Sequence, residues 1–523
     1  MTVSDAPIAP LAASFVLAPV VALAAFMEVL DLSIANVALQ NIAGELGASA
    51  DEATWILTSY LATNAIVLPM SGWLATVLGR KRYYVGCILG FGASSLLCGL
   101  APSLAILVLS RALQGLIGGG LQPVSQAILA DSFPPARRGM AFAFYGMAVV
   151  VAPAIGPTLG GWITDNFDWR WVFLINVPVS IALSLLIGQL IKDPPHLIAE
   201  RLRLSASGVR IDYVGFALLA LGFGFLQIVL DRGQQQDWFA SHFILAAALL
   251  SAFGLISFVV WELRSEYPIV DLRLLANRNF ALSNALMFML GFVLLGSTAA
   301  LPQFTQRLLG YTAMEAGMVI SPGGLALILV MPLVGRMTGR IDARLMIAFG
   351  LAVAAWSLYH MSRFDFSVDY WSIADARVVQ AVGLGFLFIP ITTLAYVGLP
   401  PEKSNSASAL INVSRNIGGS IGISFLTTML QRHVQAHQTA LVAHVTPENP
   451  TYRALAAGLQ EHFMEAGSSG QSALHQAQAT IADTVAKQAL TLSFLDNFLL
   501  LAVIFASLIP FVFLMRPESG AQS

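Results

Sequence analysis

The chain has 523 residues, of which 57% are hydrophobic and only 11% charged, with a formal net charge of -2. So few charged side chains cannot cover a water-soluble globule of this length, which excludes a soluble enzyme or binding module and implies a polytopic membrane protein. With no basic run beyond Arg80-Lys81-Arg82, a nucleic-acid partner is excluded on the same grounds.

Apolar stretches long enough to cross about 30 Å of hydrocarbon recur along the chain. In order they run Phe15–Val37, Ala53–Leu74, Tyr83–Ala101, Leu104–Val124, Met140–Trp162 and Val172–Ile191, a first block of spans. Two more follow, Tyr213–Leu230 and Phe243–Trp261. A second block comprises Phe280–Leu301, Ala313–Leu333, Leu345–Met361, Trp371–Leu394, Ser406–Thr428 and Leu492–Met515. The expected fold is therefore all-α, with fourteen transmembrane helices. The first span lacks the basic flank of a secretory signal peptide and is expected to be retained. Cys87 and Cys98 share the third span about 16 Å apart, too far for a disulfide, and read as small packing residues.

Orientation follows from the basic residues, since cytoplasmic loops carry the excess of Lys and Arg. Placing Arg80-Lys81-Arg82 inside puts seventeen Lys and Arg on the cytoplasmic side, Arg210 among them, against Arg170, Arg232, Arg307 and Arg363 in the short outer loops. Both termini then lie in the cytoplasm. The connection 431–490 falls outside, with Tyr452–Ala466 and Gln471–Lys487 as candidate amphipathic helices. His433 and His437 have the spacing of a helical metal pair, but no carboxylate or Cys completes a site nearby in sequence, so no metal is expected.

The two blocks echo each other. Arg111-Ala112-Leu113-Gln114-Gly115, followed by Pro123 and Pro134-Pro135, returns as Arg377-Val378-Val379-Gln380-Ala381, followed by Pro390 and Pro400-Pro401. Gly72 to Arg82 has a weaker echo in Gly335 to Arg344. Such a repeat suggests two six-helix bundles, residues 1–191 and 280–430 with 491–523, separated by linkers and two extra helices over 192–279. Residues 431–490 form an extracytoplasmic loop in this reading.

Charges inside spans mark candidate function, because hydrocarbon tolerates them poorly. Glu28 and Asp31, three residues apart on one helix, are expected to share a face and to exchange protons, the alternatives being a structural hydrogen-bond role for Asp31 and simple substrate contact for Glu28. Arg111 is the natural counter-charge; its alternative is a helix-helix anchor. Arg377 and Asp375 lie near a span edge and are expected at the interface, while Arg415 is a candidate inside its span. In the fifth span Gly156, Gly160 and Gly161 allow close helix approach and Pro153 and Pro157 permit a bend.

Four segments together resemble the major facilitator superfamily, in its fourteen-span drug:proton antiporter branch. They are Leu30 to Leu39, Arg111 to Gly120, Ala152 to Gly161 and Trp169 to Pro178. Within that branch the chain is most similar to EmrB-type exporters, end to end, including Ile228 to Gly233 and Pro268 to Leu272. The resemblance implies multidrug efflux of lipophilic compounds driven by protons, in a bacterial inner membrane, without a cofactor. It makes Arg111 part of a proton-coupling motif, and Pro153, Gly156, Pro157, Gly160 and Gly161 an antiporter hinge motif. Gly72, Gly79 and Arg80 become a cytoplasmic gating loop, and Asn36, Gln114 and Arg415 the lining of a substrate cavity. By analogy it further implies a periplasmic membrane-fusion adaptor and an outer-membrane channel as partners. The chain departs from the superfamily pattern at Thr76, where a carboxylate usually helps latch the cytoplasmic side; Asp131 is the substitute considered.

Two rival classes remain. A carrier or flippase for an endogenous lipid, siderophore or metabolite would use the same machinery. Gly418-Gly419-Ser420-Ile421-Gly422 matches the Gly-x-Ser-x-Gly pattern of a hydrolase nucleophile, but within an apolar helix those small residues are expected to serve packing, and no catalytic residue is assigned. No nucleotide-binding Gly-x-x-x-x-Gly-Lys loop occurs.

Overall fold

The computed structural model describes residues 11–207, 212–365 and 368–516. Arg210 and the extreme termini of the orientation argument lie outside them.

Helices follow one another throughout. The first block comprises α1 (Leu11–Glu45), the single turn α2 (Ala50–Ala53), α3 (Trp55–Leu78), α4 (Arg80–Gly99), α5 (Leu104–Gly118), α6 (Leu121–Ser132), α7 (Pro135–Asn166), α8 (Trp171–Leu174) and α9 (Asn176–Leu190). After α10 (Pro195–Ser207) come the two additional helices α11 (Tyr213–Arg232) and α12 (His242–Arg264). The second block comprises α13 (Arg278–Leu309), α14 (Ala313–Met337), α15 (Ala343–Met361), α16 (Tyr370–Ala395), α17 (Ser404–Val442), α18 (Pro450–Glu465) and α19 (Gly470–Val512).

Each of the expected spans falls on helix. Among the described residues eleven helices are long and apolar enough to cross a membrane, or twelve if the bent α7 counts as one span. The two expected spans outside that set lie on α4, which opens with Arg80-Lys81-Arg82, and on α17, rich in Ser and Asn; both are long helices of more polar composition. Helices suit lipid because each satisfies its own backbone polar groups. The fourth span breaks into α5 and α6 at Gly118-Gly119-Gly120, where helix propensity is lowest. The connection 431–490 is not a detached loop: its ends prolong α17 and α19, and the separate helix α18 packs against α19.

Side-chain distribution is that of a protein solvated by lipid. Leu109, Leu185, Leu249, Phe253, Ile256, Leu325, Leu329 and Trp356 face outward, while Glu28, Asp31, Arg111, Gln114, Gln126, Asn412 and Arg415 are buried inside. The blocks meet along two seams, α3 and α6 against α17, and α7 against α14 and α16. At the second seam the backbones nearly touch, for a Cβ on Gly139 would lie 2.8 Å from the carbonyl of Gly335. The additional helix α11 contacts both blocks at the first seam. Its Asp231 accepts a hydrogen bond from Thr58 and its Arg232 lies 4.3 Å over the Trp55 ring, while its Gln227 accepts from Ser420 at 3.1 Å.

Candidate functional site

Asp31, 1% exposed, sits in mid-helix on α1 with its carboxylate inside the first block. Arg111 Nη1 donates to Asp31 Oδ2 at 2.5 Å, and the Arg111 side chain is itself fully buried. Asn176 Nδ2 donates to Oδ1 at 2.7 Å and Gln114 Nε2 to the same oxygen at 3.4 Å. Gln114 Oε1 in turn accepts from Arg111 Nη1 at 2.6 Å, one helical turn away on α5. Ser95 links Gln114 and Asn176, at 3.3 and 3.1 Å, and donates to the Phe173 carbonyl at 2.9 Å. The guanidinium lies 4.4 Å over the Tyr60 ring and 5.4 Å over that of Phe173. Six helices, α1, α3, α4, α5, α8 and α9, thus surround one buried ion pair, in an interior where charge is tolerated only when paired and hydrogen-bonded.

Glu28 is also buried, but it turns toward a different set of partners. Asn64 Nδ2 donates to its Oε1 at 3.1 Å and the Tyr60 hydroxyl does so at 3.4 Å. Its Oε2 makes no well-formed hydrogen bond, and Gln122 lies beside the same carboxyl group. Gln122 accepts from Arg415 Nη2 of α17, so a polar line runs from Glu28 across the first seam into the second block. Glu28 and Asp31 are both buried on α1 but bind different partners, and Tyr60 touches both networks, its hydroxyl on Glu28 and its ring under Arg111.

A second cluster ties the blocks together at the Arg80 end. Arg80 Nη1 pairs with Asp131 Oδ2 at 2.8 Å, while Nε donates to Asn405 Oδ1 at 2.9 Å and Nη2 to Ser404 Oγ at 3.0 Å. Ser404 donates onward to Asp131 at 3.0 Å, and Asn405 Nδ2 to Thr76 Oγ1 at 3.2 Å. Gly72 is required here, since a Cβ would lie 2.8 Å from the Asn405 carbonyl. Gly79 has φ +89°, a conformation that suits glycine, and turns the chain so that Arg80 opens α4. Farther in, Tyr145 donates to Asn412 at 3.0 Å, and Phe142 stacks on Tyr396 with centroids 5.6 Å apart. Asp131, the substitute considered for the carboxylate missing at Thr76, is the acid of this cluster.

The repeat in sequence is a repeat in space. Arg377 Nη1 donates to Gln380 Oε1 at 2.5 Å, as Arg111 does to Gln114. Where Asp31 stands in the first block, Ser297 stands in the second, accepting from Arg377 at 3.4 Å and from Gln380 at 3.1 Å. Arg377 is 6% exposed, which corrects the expectation of an interfacial side chain; Asp375 is exposed as expected. The helix begins at Tyr370, so Arg377 lies two turns inside it.

A profile described as Major Facilitator Superfamily matches residues 21–423. The chain belongs to that superfamily. It is 38% identical over 501 residues to the multidrug export protein EmrB of Haemophilus influenzae, covering 96% of this chain and 95% of that one. The same-named protein of Escherichia coli K12 is 37% identical over 500 residues, covering 95% and 94%. The fatty acid resistance protein FarB of Neisseria gonorrhoeae is 38% identical over 496 residues, covering 95% and 94%. The EmrB-type resemblance read from the sequence therefore holds along nearly the whole chain. In fold it is similar to the human organic anion transporter MFSD10, with a TM-score of 0.56 at 13% identity over 94% of this chain and 99% of that one. It is likewise similar to the proton:xylose symporter XylE, with a TM-score of 0.59 at 14% identity over 95% and 96%.

The segment that resembles the superfamily's antiporter motif lies on α7, whose axis bends by 47° between Arg137–Pro153 and Ile155–Asn166. Pro157 has no N–H to offer the Pro153 carbonyl, and Ser33 Oγ of α1 donates to that carbonyl instead, at 3.5 Å. Gly156 packs on Ser33, and Gly160 on Ile34, whose backbone would lie 3.2 Å from an added Cβ. Gly161 corrects the expectation: a Cβ there meets nothing within 4 Å, so this glycine makes no close approach. Of the residues expected in a cavity, Gln114 belongs to the Asp31 network and Arg415 to the line from Glu28, whereas Asn36 is exposed.

The Gly-x-Ser-x-Gly segment is mid-helix, with Gly418 and Gly422 against the Phe288 and Phe292 backbones, which is the packing use expected of it. Cys87 and Cys98 are buried free thiols. The expectation that His433 and His437 lack a carboxylate was too narrow: Asp496 of α19 lies 2.7 Å from His437 and 3.6 Å from His433. Among the described residues no group is arranged to hold a metal ion.

Proposed function

We propose that this protein is a multidrug exporter that drives lipophilic compounds out of the cytoplasm or inner leaflet by exchange for protons. The observation that carries the reading is the Asp31–Arg111 pair, a titratable carboxylate buried in a transmembrane bundle with its counter-charge 2.5 Å away. Protonating Asp31 removes its negative charge and weakens its hold on Arg111, Asn176 and Gln114, so the proton changes how α1, α5 and α9 pack. Glu28 offers a second proton acceptor through Oε2 and reaches the second block through Gln122 and Arg415. One proton moving inward through about 100 mV supplies about 2.3 kcal/mol. That suffices for a roughly forty-fold gradient of an uncharged drug.

In this reading the blocks 1–191 and 280–430 with 491–523 are rigid bundles that rock about the site. Arg80, Asp131, Ser404 and Asn405 latch the cytoplasmic end, and the α1–α7 contact at Gly156 is the hinge. The seventeen-to-four bias of basic residues supports cytoplasmic termini and an inner-membrane location. Similarity to EmrB-type exporters supports a periplasmic adaptor and outer-membrane channel as partners; failure of any such protein to co-purify from native membranes would count against them. Similarity to a fatty acid resistance protein supports a second reading, in which an endogenous amphiphile is the cargo. Competition between drug and fatty acid for export separates the two.

Inverted membrane vesicles test the main reading. Drug should accumulate when respiration acidifies the lumen, should leave when a protonophore collapses the gradient, and should not accumulate with Asp31→Asn. Equal accumulation with and without the gradient would overturn it.

A further inference from the structure

We propose that Arg377, with Gln380, Ser297 and Thr298, forms an anion-binding site in the second block that takes the carboxylate or other acidic head group of an amphiphilic cargo. The molecule holds two copies of one arrangement. In the first block an Arg-x-x-Gln pair on α5 is neutralised by Asp31 of α1. In the second block the same pair on α16 faces α13, and the partners are hydroxyls: Ser297 at 3.4 Å from Nη1 and Thr298 at 2.8 Å from Nη2. Among the described residues no carboxylate lies within ion-pair distance of Arg377, whose guanidinium is held by Gln380, Ser297 and Thr298.

A guanidinium cannot shed its proton, so this cation stays charged while buried, and hydroxyl dipoles do not cancel its charge. Its planar fork matches a carboxylate, and low local dielectric strengthens that attraction. Arg377 keeps 6% exposure where Arg111 has none, and Thr298, which holds Nη2, is half-buried. Gly323 of α14 packs against the Arg377 side chain, where a Cβ would lie 2.8 Å from its Cγ, so the cation is held in place from the third side. The protein thus carries a fixed anion–cation pair in one block and an unneutralised cation at the equivalent place in the other. A lipophilic acid would complete the second pair reversibly. This inference rests on the export reading for its consequence in transport.

The test uses the full-length protein, first in detergent and then in proteoliposomes, with pyrenebutyrate as the anionic probe and tetraphenylphosphonium as the cationic one. Arg377→Gln is expected to weaken pyrenebutyrate binding at least about tenfold, the scale of one lost charged hydrogen bond, with tetraphenylphosphonium binding unchanged. Ser297→Asp, which installs the missing carboxylate, should do the same while leaving Arg377 paired and the helices packed. Arg377→Lys should retain part of the affinity. The proposal is overturned if the native protein binds no pyrenebutyrate, if both probes lose affinity together in Ser297→Asp, or if Arg377→Gln binds the anion as well as the native protein does. Arg377-dependent anion binding without movement of either probe in proteoliposomes would support the site and instead defeat the export reading.

Discussion

Arg80 of α4 and Asp131 of α6 stand 2.8 Å apart within the first block, and the same guanidinium reaches Asn405 and Ser404 of the second. One buried cation thus holds two helices of one block and the start of α17 in the other. Removing it takes the cationic partner from the Arg80–Asp131 pair, and stripping one partner from a buried pair costs about 3–5 kcal/mol. Arg80→Ala should open this end of the molecule: a Thr76→Cys probe, in a background lacking Cys87 and Cys98, should react severalfold faster with an impermeant thiol reagent added from the cytoplasm. An unchanged labelling rate would show that the latch does not control closure.

Gly156 and Gly161 make a paired test of the hinge. Gly156 has Ser33 against it, whereas Gly161 has open space. Gly156→Leu should abolish export while the protein remains in the membrane, because overpacking a helix contact costs about 1–3 kcal/mol and separates α1 from α7. Gly161→Leu should export at near the native rate. Similar activity in both variants would remove the α1–α7 contact from the mechanism.

Glu28→Gln preserves the acceptor for Asn64 and Tyr60 but cannot bind a proton. Export measured from pH 5.5 to 8 should lose part of its pH dependence, with efflux of lipophilic cations falling about tenfold, the equivalent of about 1.4 kcal/mol. A pH profile superimposable on the native one would leave Glu28 as a packing or substrate-contact residue only.

Near the C-terminal end of α17, His437 faces Asp496 of α19 at 2.7 Å. Half-exposed ion pairs contribute about 0–1 kcal/mol, so Asp496→Asn should shift the melting temperature by only a few degrees or less and leave export intact. A chelator should likewise have no effect on export. Loss of activity on chelation would reveal a metal requirement that this arrangement does not predict.

The helices were legible because hydrocarbon thickness imposes a length that composition reveals, and the Asp31–Arg111 partnership because a charge in lipid must find a counter-charge. Neutral partners carry no such signature. Nothing in the text of α4 singles out Ser95, and Asn176, though inside the Trp169 to Pro178 segment, carries no mark of its own role. That Glu28 and Asp31 bind different partners depends on which neighbours flank α1, a tertiary fact. Arg377 lies six residues inside the expected span, a place that suggests the edge, whereas its burial is set by the neighbouring helices; the repeated Arg-x-x-Gln was the signal that pointed inside. Asp496 escaped notice as a partner of His437 because 59 residues separate them.

The most direct test of the account is proton movement in proteoliposomes bearing an imposed pH gradient, comparing the native protein with Asp31→Asn and Arg111→Ala. A lipophilic drug should dissipate the gradient in native vesicles and in neither variant. Drug transport that proceeds equally without a gradient, or native proton release from Asp31→Asn, would contradict a coupling mechanism centred on the Asp31–Arg111 pair.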